Sequence, residues 1–246
     1  MLNDLLLLSG NDIPFFEAEI AIHAPTIKEI AYVGEKTFYE GCGVLTFSKD
    51  NLSEKDRVSL GNITNFEVLM SIIRDNSFPF AIEYRTNATA VLALMFPEYE
   101  IHFDKNEILL VKKDEVHSIN SKNFEKFKEI LTAMFCLKGR GEDAELNYNP
   151  GGKLAKGIAD KLYKRRQIVA EQKGEQKMAV LSRYVSILSV GERKDMNDLL
   201  NYTVYQLFDE FDRFELKEQF DMHFRAQLAG ARDLQDVENW KKDIHP

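Results

Sequence analysis

Residues 138–152 (Lys-Gly-Arg-Gly-Glu-Asp-Ala-Glu-Leu-Asn-Tyr-Asn-Pro-Gly-Gly) interrupt every apolar pattern in the chain. Gly, Asn and charge in one run favour irregular backbone and starve any core of apolar contacts. Strand and helix patterns intermingle before this break, whereas no strand pattern follows it. The expectation is an α+β fold: a mixed N-terminal α/β part over 1–140 with a short antiparallel sheet, then an all-helical part over 148–246 with a C-terminal tail.

The chain can build such cores. Of its 246 residues 44% are hydrophobic and 29% charged, close to ordinary globular usage, and this excludes disorder throughout. Its two cysteines, Cys42 and Cys136, do not make a disulfide framework and stand in no zinc-ligand spacing. The apolar run Leu5 to Leu8 follows an Asp with no Lys or Arg before it and is too short for a signal-peptide core. No apolar stretch approaches the length of a membrane span. A soluble, cytoplasmic chain is expected, with no membrane partner.

Before the break, residues 15–22 partly alternate apolar and polar and predict a strand, stopped by Pro25. Thr26 followed by Glu29 has capping-box spacing, because the hydroxyl accepts from a free amide while the carboxylate reaches back. A helix through Ile27, Ile30 and Ala31 should follow, then another over 36–45. Phe66, Leu69, Met70 and Ile73 recur at helical spacing in 65–75, and the apolar run 88–96 suits either a helix or a buried strand. Residues 99–103 and 107–111 alternate about a turn at 104–106, and 116–119 can add a third strand. Phe124, Phe127, Ile130, Leu131 and Met134 form one stripe of a helix over 123–137.

After the break, helices are expected at 153–173, 175–190, 203–214 and 215–229, with Gly191 and Gly230 as C-terminal stops. Thr203 and Gln206 repeat the capping-box spacing ahead of Val204, Leu207, Phe208, Phe211 and Phe214. Charge is uneven. Residues 153–177 hold eight Lys and Arg against three Asp and Glu, net +5, so the rest of the chain carries −13.

Few chemistries survive inspection. Gly151-Gly152-Lys153 opening a helix suggests a phosphate loop, but Asn147 and Leu154 occupy positions where that motif needs Gly and Ser or Thr. The basic patch of Lys153, Lys156, Lys164, Arg165 and Arg166 could neutralise phosphates. The acidity of the rest and the lack of a nucleic-acid motif favour a solvated face instead. Asp209, Glu210, Asp212, Glu215, Glu218 and Asp221 interleave with Phe208, Phe211 and Phe214, as on an exposed helix side, so no metal site is expected. Five histidines are scattered, though His102 and His117 could face each other across a hairpin. No Gly-x-Ser-x-Gly elbow occurs. Neither an enzyme nor a cofactor is expected. The sole tryptophan, Trp240, lies in the tail with Ile244, where it either anchors in a partner's groove or folds back on its own helices.

Several segments resemble a known family. They are His23-Ala24-Pro25-Thr26-Ile27-Lys28-Glu29-Ile30 and, later, Asn149-Pro150-Gly151-Gly152, Arg183-Tyr184-Val185-Ser186-Ile187-Leu188, Met196-Asn197-Asp198-Leu199-Leu200, Thr203 to Asp209, Leu228-Ala229-Gly230-Ala231, and Glu238-Asn239-Trp240 with Asp243-Ile244-His245. Together they are similar to tail assembly chaperones of siphophages that infect Gram-positive hosts, over about the first forty-five residues and most of 148–246. The resemblance implies a non-enzymatic protein of the host cytoplasm. It would coat the tape measure protein until tail tube subunits polymerise around it, and would be absent from the finished virion. On that basis Tyr205, Phe208, Phe211, Trp240 and Ile244 are the candidate contacts to the tape measure, and self-association is left open. The alternatives are a structural tail or connector subunit of the virion, and a nucleic-acid-binding regulator using the basic 153–177 helix.

Overall fold

The computed structural model describes residues 3–49, 62–74, 81–137, 180–230 and 241. The break at 138–152 and the basic segment 153–177 lie outside the described residues. Helix α1 (Asp4–Ser9) starts on the Asn3 side chain, which accepts from the Leu5 amide. A hairpin follows, β1 (Ile13–Phe15) with β2 (Ile20–Ile22), closed by a single 3-10 turn over Phe16–Ala18. The strand expected over 15–22 is therefore two short strands. Glu19 adopts a left-handed φ of 52° and turns the chain back, so Phe15 is fully buried while Phe16 is exposed. The alternation was present, but the reversal inside it has no glycine or proline to mark it.

The Thr26 capping box forms as expected and opens α2 (Ile27–Val33). The Glu29 carboxylate accepts from both the backbone amide and the hydroxyl of Thr26, each at 2.7 Å. Next come α3 (Glu35–Leu45), α4 (Asn65–Arg74) and α5 (Ala81–Met95). The ambiguous run 88–96 is thus helix, and its residues Ala88, Val91, Leu92 and Met95 are fully buried. Gly41 explains how closely α3 and α5 pack: a Cβ there would lie 2.3 Å from the Asn87 carbonyl oxygen and 2.6 Å from a Val91 methyl. The Asn87 amide, buried at this crossing, donates to Glu40 at 2.9 Å.

Strands β3 (Glu100–Phe103), β4 (Glu107–Lys112) and β5 (Glu115–Asn120) form an antiparallel sheet in that order. Helix α6 (Phe124–Met134) packs its predicted stripe into the core. Because β4 is central, His102 pairs with Leu109 and His117 with Leu110, so the two histidines sit on opposite edges and do not face each other. Period-2 reasoning gave both strands but not which one lay between.

The C-terminal helices are α7 (Val180–Glu192), α8 (Met196–Leu200) and α9 (Val204–Leu228). The helices expected at 203–214 and 215–229 are one. No Gly or Pro stands between Val204 and Leu228, and nothing near Phe214 ends an α-helix. Gly191 does not stop α7 either. The helix runs on to Glu192, and Gly191 is small because the Phe214 ring presses on it, where a Cβ would meet Cζ at 2.5 Å. Arg193, at φ 59°, adopts the left-handed conformation just beyond. Gly230, at φ 84°, does follow the end of α9 as expected.

These helices do not stand apart from the first part. One hydrophobic cluster includes Leu7, Phe38, Leu92, Phe127, Leu188 and Phe211. Helices α2 and α9 start side by side: Thr26 and Thr203, both N-caps, form a β-bridge, and the Ile27 amide donates to the Tyr202 carbonyl at 2.8 Å. The Glu35 carboxylate receives the Leu181 amide at 2.6 Å, capping α7 from across the chain. Gln206 closes the Thr203 capping box with its oxygen and donates its amide to the Leu8 carbonyl at 2.7 Å. Each of these bonds satisfies a helix-end group that water would otherwise take.

Candidate partner-binding surface

Helix α9 divides into two halves of opposite character. From Val204 to Phe211 its apolar residues enter the core, and among the described residues of α9 Phe214 is the last to pack against it. Tyr184 of α7 stacks flat on Phe211, with ring centres 3.6 Å apart, and tilts against Phe208. The Tyr205 hydroxyl donates to Asp4 at 3.4 Å, and burial, helped by that carboxylate, pushes its pKa upward. Tyr205, Phe208 and Phe211, expected as partner contacts, are each only 7% exposed and hold α9 to its own chain. Trp240, Ile244 and the basic patch of Lys153, Lys156, Lys164, Arg165 and Arg166 lie outside the described residues.

Beyond Phe214 the helix continues for about 20 Å at 1.5 Å per residue. Leu216 and Phe220 are half-buried, while Met222, Phe224 and Leu228 are exposed at 60%, 52% and 73%. Leu216, Phe220, Phe224 and Leu228 recur every fourth residue, so they run along one side of the arm. Such a stripe, with Phe224 and Leu228 exposed, is what an apolar partner helix can cover. The sequence already carried the signal in this i, i+4 repeat, although the expected break at 214 hid it.

A polar network braces the root of the arm. Lys194 donates to Glu210, to the Tyr202 hydroxyl at 3.2 Å, and stands 3.5 Å from Glu192. Burial raises the Glu192 pKa, and the neighbouring Glu210 carboxylate raises it further. Burial also works to raise Glu210, but hydrogen bonds from Lys194, Glu192 and Tyr202 outweigh it and hold that carboxyl below its usual range. For Lys194 burial opposes the charged form, yet its contacts with Glu210 and Tyr202 keep the ammonium pKa above normal. One lysine therefore holds two carboxylates together where α7, α8 and α9 meet.

Among the described residues, no three His, Cys, Asp or Glu side chains are placed to hold a metal ion, and no helix is long and apolar enough to cross a membrane.

Residues 171–245 match the family described as the YomV second domain, a phage-associated domain family. The match takes in α7, α8, α9 and the tail. Comparisons with curated proteins and with solved structures find no match. The C-terminal part of the chain is thus similar to a phage-associated domain.

Proposed function

We propose that this protein is a non-enzymatic tail assembly chaperone that binds a phage tape measure protein and keeps it soluble while the tail is built. The observation that carries the reading is the distal half of α9, which leaves the core and bears Leu216, Phe220, Phe224 and Leu228 along one side. A tape measure is a long helical chain whose exposed apolar stripes aggregate, and a second apolar helix packed along such a stripe protects it. The net charge of −8 favours solubility of the coated complex. The phage-associated match over 171–245 supports the setting. On this reading the partner contacts lie on the arm and in the Trp240 tail rather than on Tyr205, Phe208 and Phe211.

The test is co-expression with the tape measure protein of the same phage, followed by affinity capture, alongside a search for this chain in purified virions. The proposal expects a soluble tape measure that co-elutes and virions that lack the protein. An insoluble tape measure with nothing captured overturns it, and recovery of the chain as a stoichiometric virion component establishes the structural-subunit alternative instead.

A further inference from the structure

Beyond Phe214 the arm of α9 carries a charge pattern beside its apolar stripe. On an α-helix, residues three apart are neighbours, so the rows bordering a stripe lie three positions before and after it. The row before Leu216, Phe220, Phe224 and Leu228 is Arg213, Lys217, Asp221 and Arg225, three cations against one carboxylate. The row after it is Gln219, His223 and Gln227, which holds no carboxylate. Gln227 and His223 are tied to each other, with the amide nitrogen 3.0 Å from the ring Nε2. Glu215 heads that second row but precedes the stripe, and Glu218 lies on the far side of the helix with Met222 and Ala226.

The cations beside the stripe are available. Lys217 and Arg225 are both exposed, and among the described residues neither is held in an ion pair, unlike Lys194 at the root of the arm. A helix packed along the stripe must lay one of its own flanks along this row. A flank of Lys or Arg meets like charge there, and a flank of Asp or Glu meets two cations without partners. The net charge of −8 acts the other way. It is a weaker influence, because charges more than about 8 Å apart are largely screened at physiological salt. A helix with its side chains is about 10–12 Å across, so Glu218 on the far side counts for less than Lys217 and Arg225. Two arms packed antiparallel would set this row against itself, cation to cation, which argues against a second copy as the occupant.

We propose that the α9 arm takes an amphipathic helix whose apolar stripe is flanked by Asp or Glu, selected by Lys217 and Arg225. Packing along Leu216, Phe220, Phe224 and Leu228 supplies affinity, and the two cations at its rim decide between partners. On the reading of the arm as the tape-measure face, the segment bound there carries acidic residues beside its apolar stripe.

Two fluorescein-labelled peptides of about 20 residues, long enough to form a helix, share one Leu stripe and differ only in carrying Glu or Lys beside it. Fluorescence anisotropy on the full chain at physiological salt should find the Glu peptide bound about tenfold tighter, as two rim contacts changed from attractive to repulsive imply. Non-specific attraction to an acidic chain favours the Lys peptide, so this order reads the row and not the net charge. In the double variant Lys217→Glu, Arg225→Glu the order should reverse, and Phe224→Asp should weaken both peptides. The order on the unmutated chain decides the matter whether or not the variants fold. Equal binding of the two peptides, tighter binding of the Lys peptide, binding of neither, or an order unchanged in a folded double variant overturns the proposal. A chain that dimerises through the arm in sedimentation, and that the Glu peptide does not dissociate, overturns it as well. A Glu peptide that binds while co-expression captures no tape measure overturns the tape-measure reading alone.

Discussion

Two glycines in one helix should respond to alanine with opposite signs. Gly41 and Gly43 both lie in α3 (Glu35–Leu45). Helix propensity alone favours Ala over Gly by about 1 kcal/mol at either position. At Gly43 nothing stands within 4 Å of the added Cβ, so Gly43→Ala should stabilise by about 0.5–1 kcal/mol. At Gly41 the same atom arrives 2.3 Å from the Asn87 carbonyl oxygen and 2.6 Å from Val91. The first neighbour is backbone, so no rotamer change relieves it, and α3 must move away from α5. Overpacking of this kind costs about 1–3 kcal/mol or more, which exceeds the propensity gain. For a domain of this size each kcal/mol moves the melting temperature by about 2–4 °C. Thermal unfolding followed by circular dichroism should therefore show Gly43→Ala melting slightly above the parent and Gly41→Ala several degrees below it. Equal stabilisation by both substitutions would refute the close α3–α5 crossing.

Other perturbations test the C-terminal helices. Replacing Lys194 by Met leaves Glu192 and Glu210 facing each other without their cation, and after allowing for partial exposure it should cost about 1–2 kcal/mol at pH 7. Protonation relieves that repulsion, so denaturant titrations should find the deficit smaller near pH 4.5. In the parent, the lowered Glu210 contributes stability that is lost as pH falls through its folded pKa, while the raised Glu192 imposes a cost as pH rises through its own; the two trends oppose each other. Thr203→Ala removes the acceptor for the Gln206 amide and should destabilise by about 0.5–2 kcal/mol, read from the denaturation midpoint. Gln206→Glu keeps an acceptor for the Thr203 amide but sets a carboxylate against the Leu8 carbonyl, so it too should lower the midpoint, by about 1–3 kcal/mol.

Local chemistry was legible in the sequence where it was self-contained. Both capping boxes are closed within four residues, and both form at Thr26 and Thr203. The stripe from Phe124 to Met134 and the alternation over 99–111 likewise depend on near neighbours, and each folds as its period predicts. What the sequence hid depends on long-range contact. Glu19 turns left-handed although nothing in its own identity calls for it. Gly191 reads as a helix stop until the Phe214 ring is seen against it. The apolar face of Val204 to Phe211 looked available to a partner, and only the packing of Tyr184 and Leu188 shows that the chain uses it itself. The arm beyond Phe214 was readable from its fourfold spacing, yet spacing alone does not say which part of a long helix leaves the core.

The central claim is that this arm holds the partner, and one comparison tests it most directly. The full chain and a Phe224→Asp, Leu228→Asp variant are each co-expressed with the tape measure protein, and the soluble tape measure that co-elutes is quantified after the melting temperatures of the two chains have been compared. Because both side chains are exposed, at 52% and 73%, the variant should melt with the parent while losing most of the captured tape measure. Equal capture by the two chains, or no capture by the parent, contradicts the account.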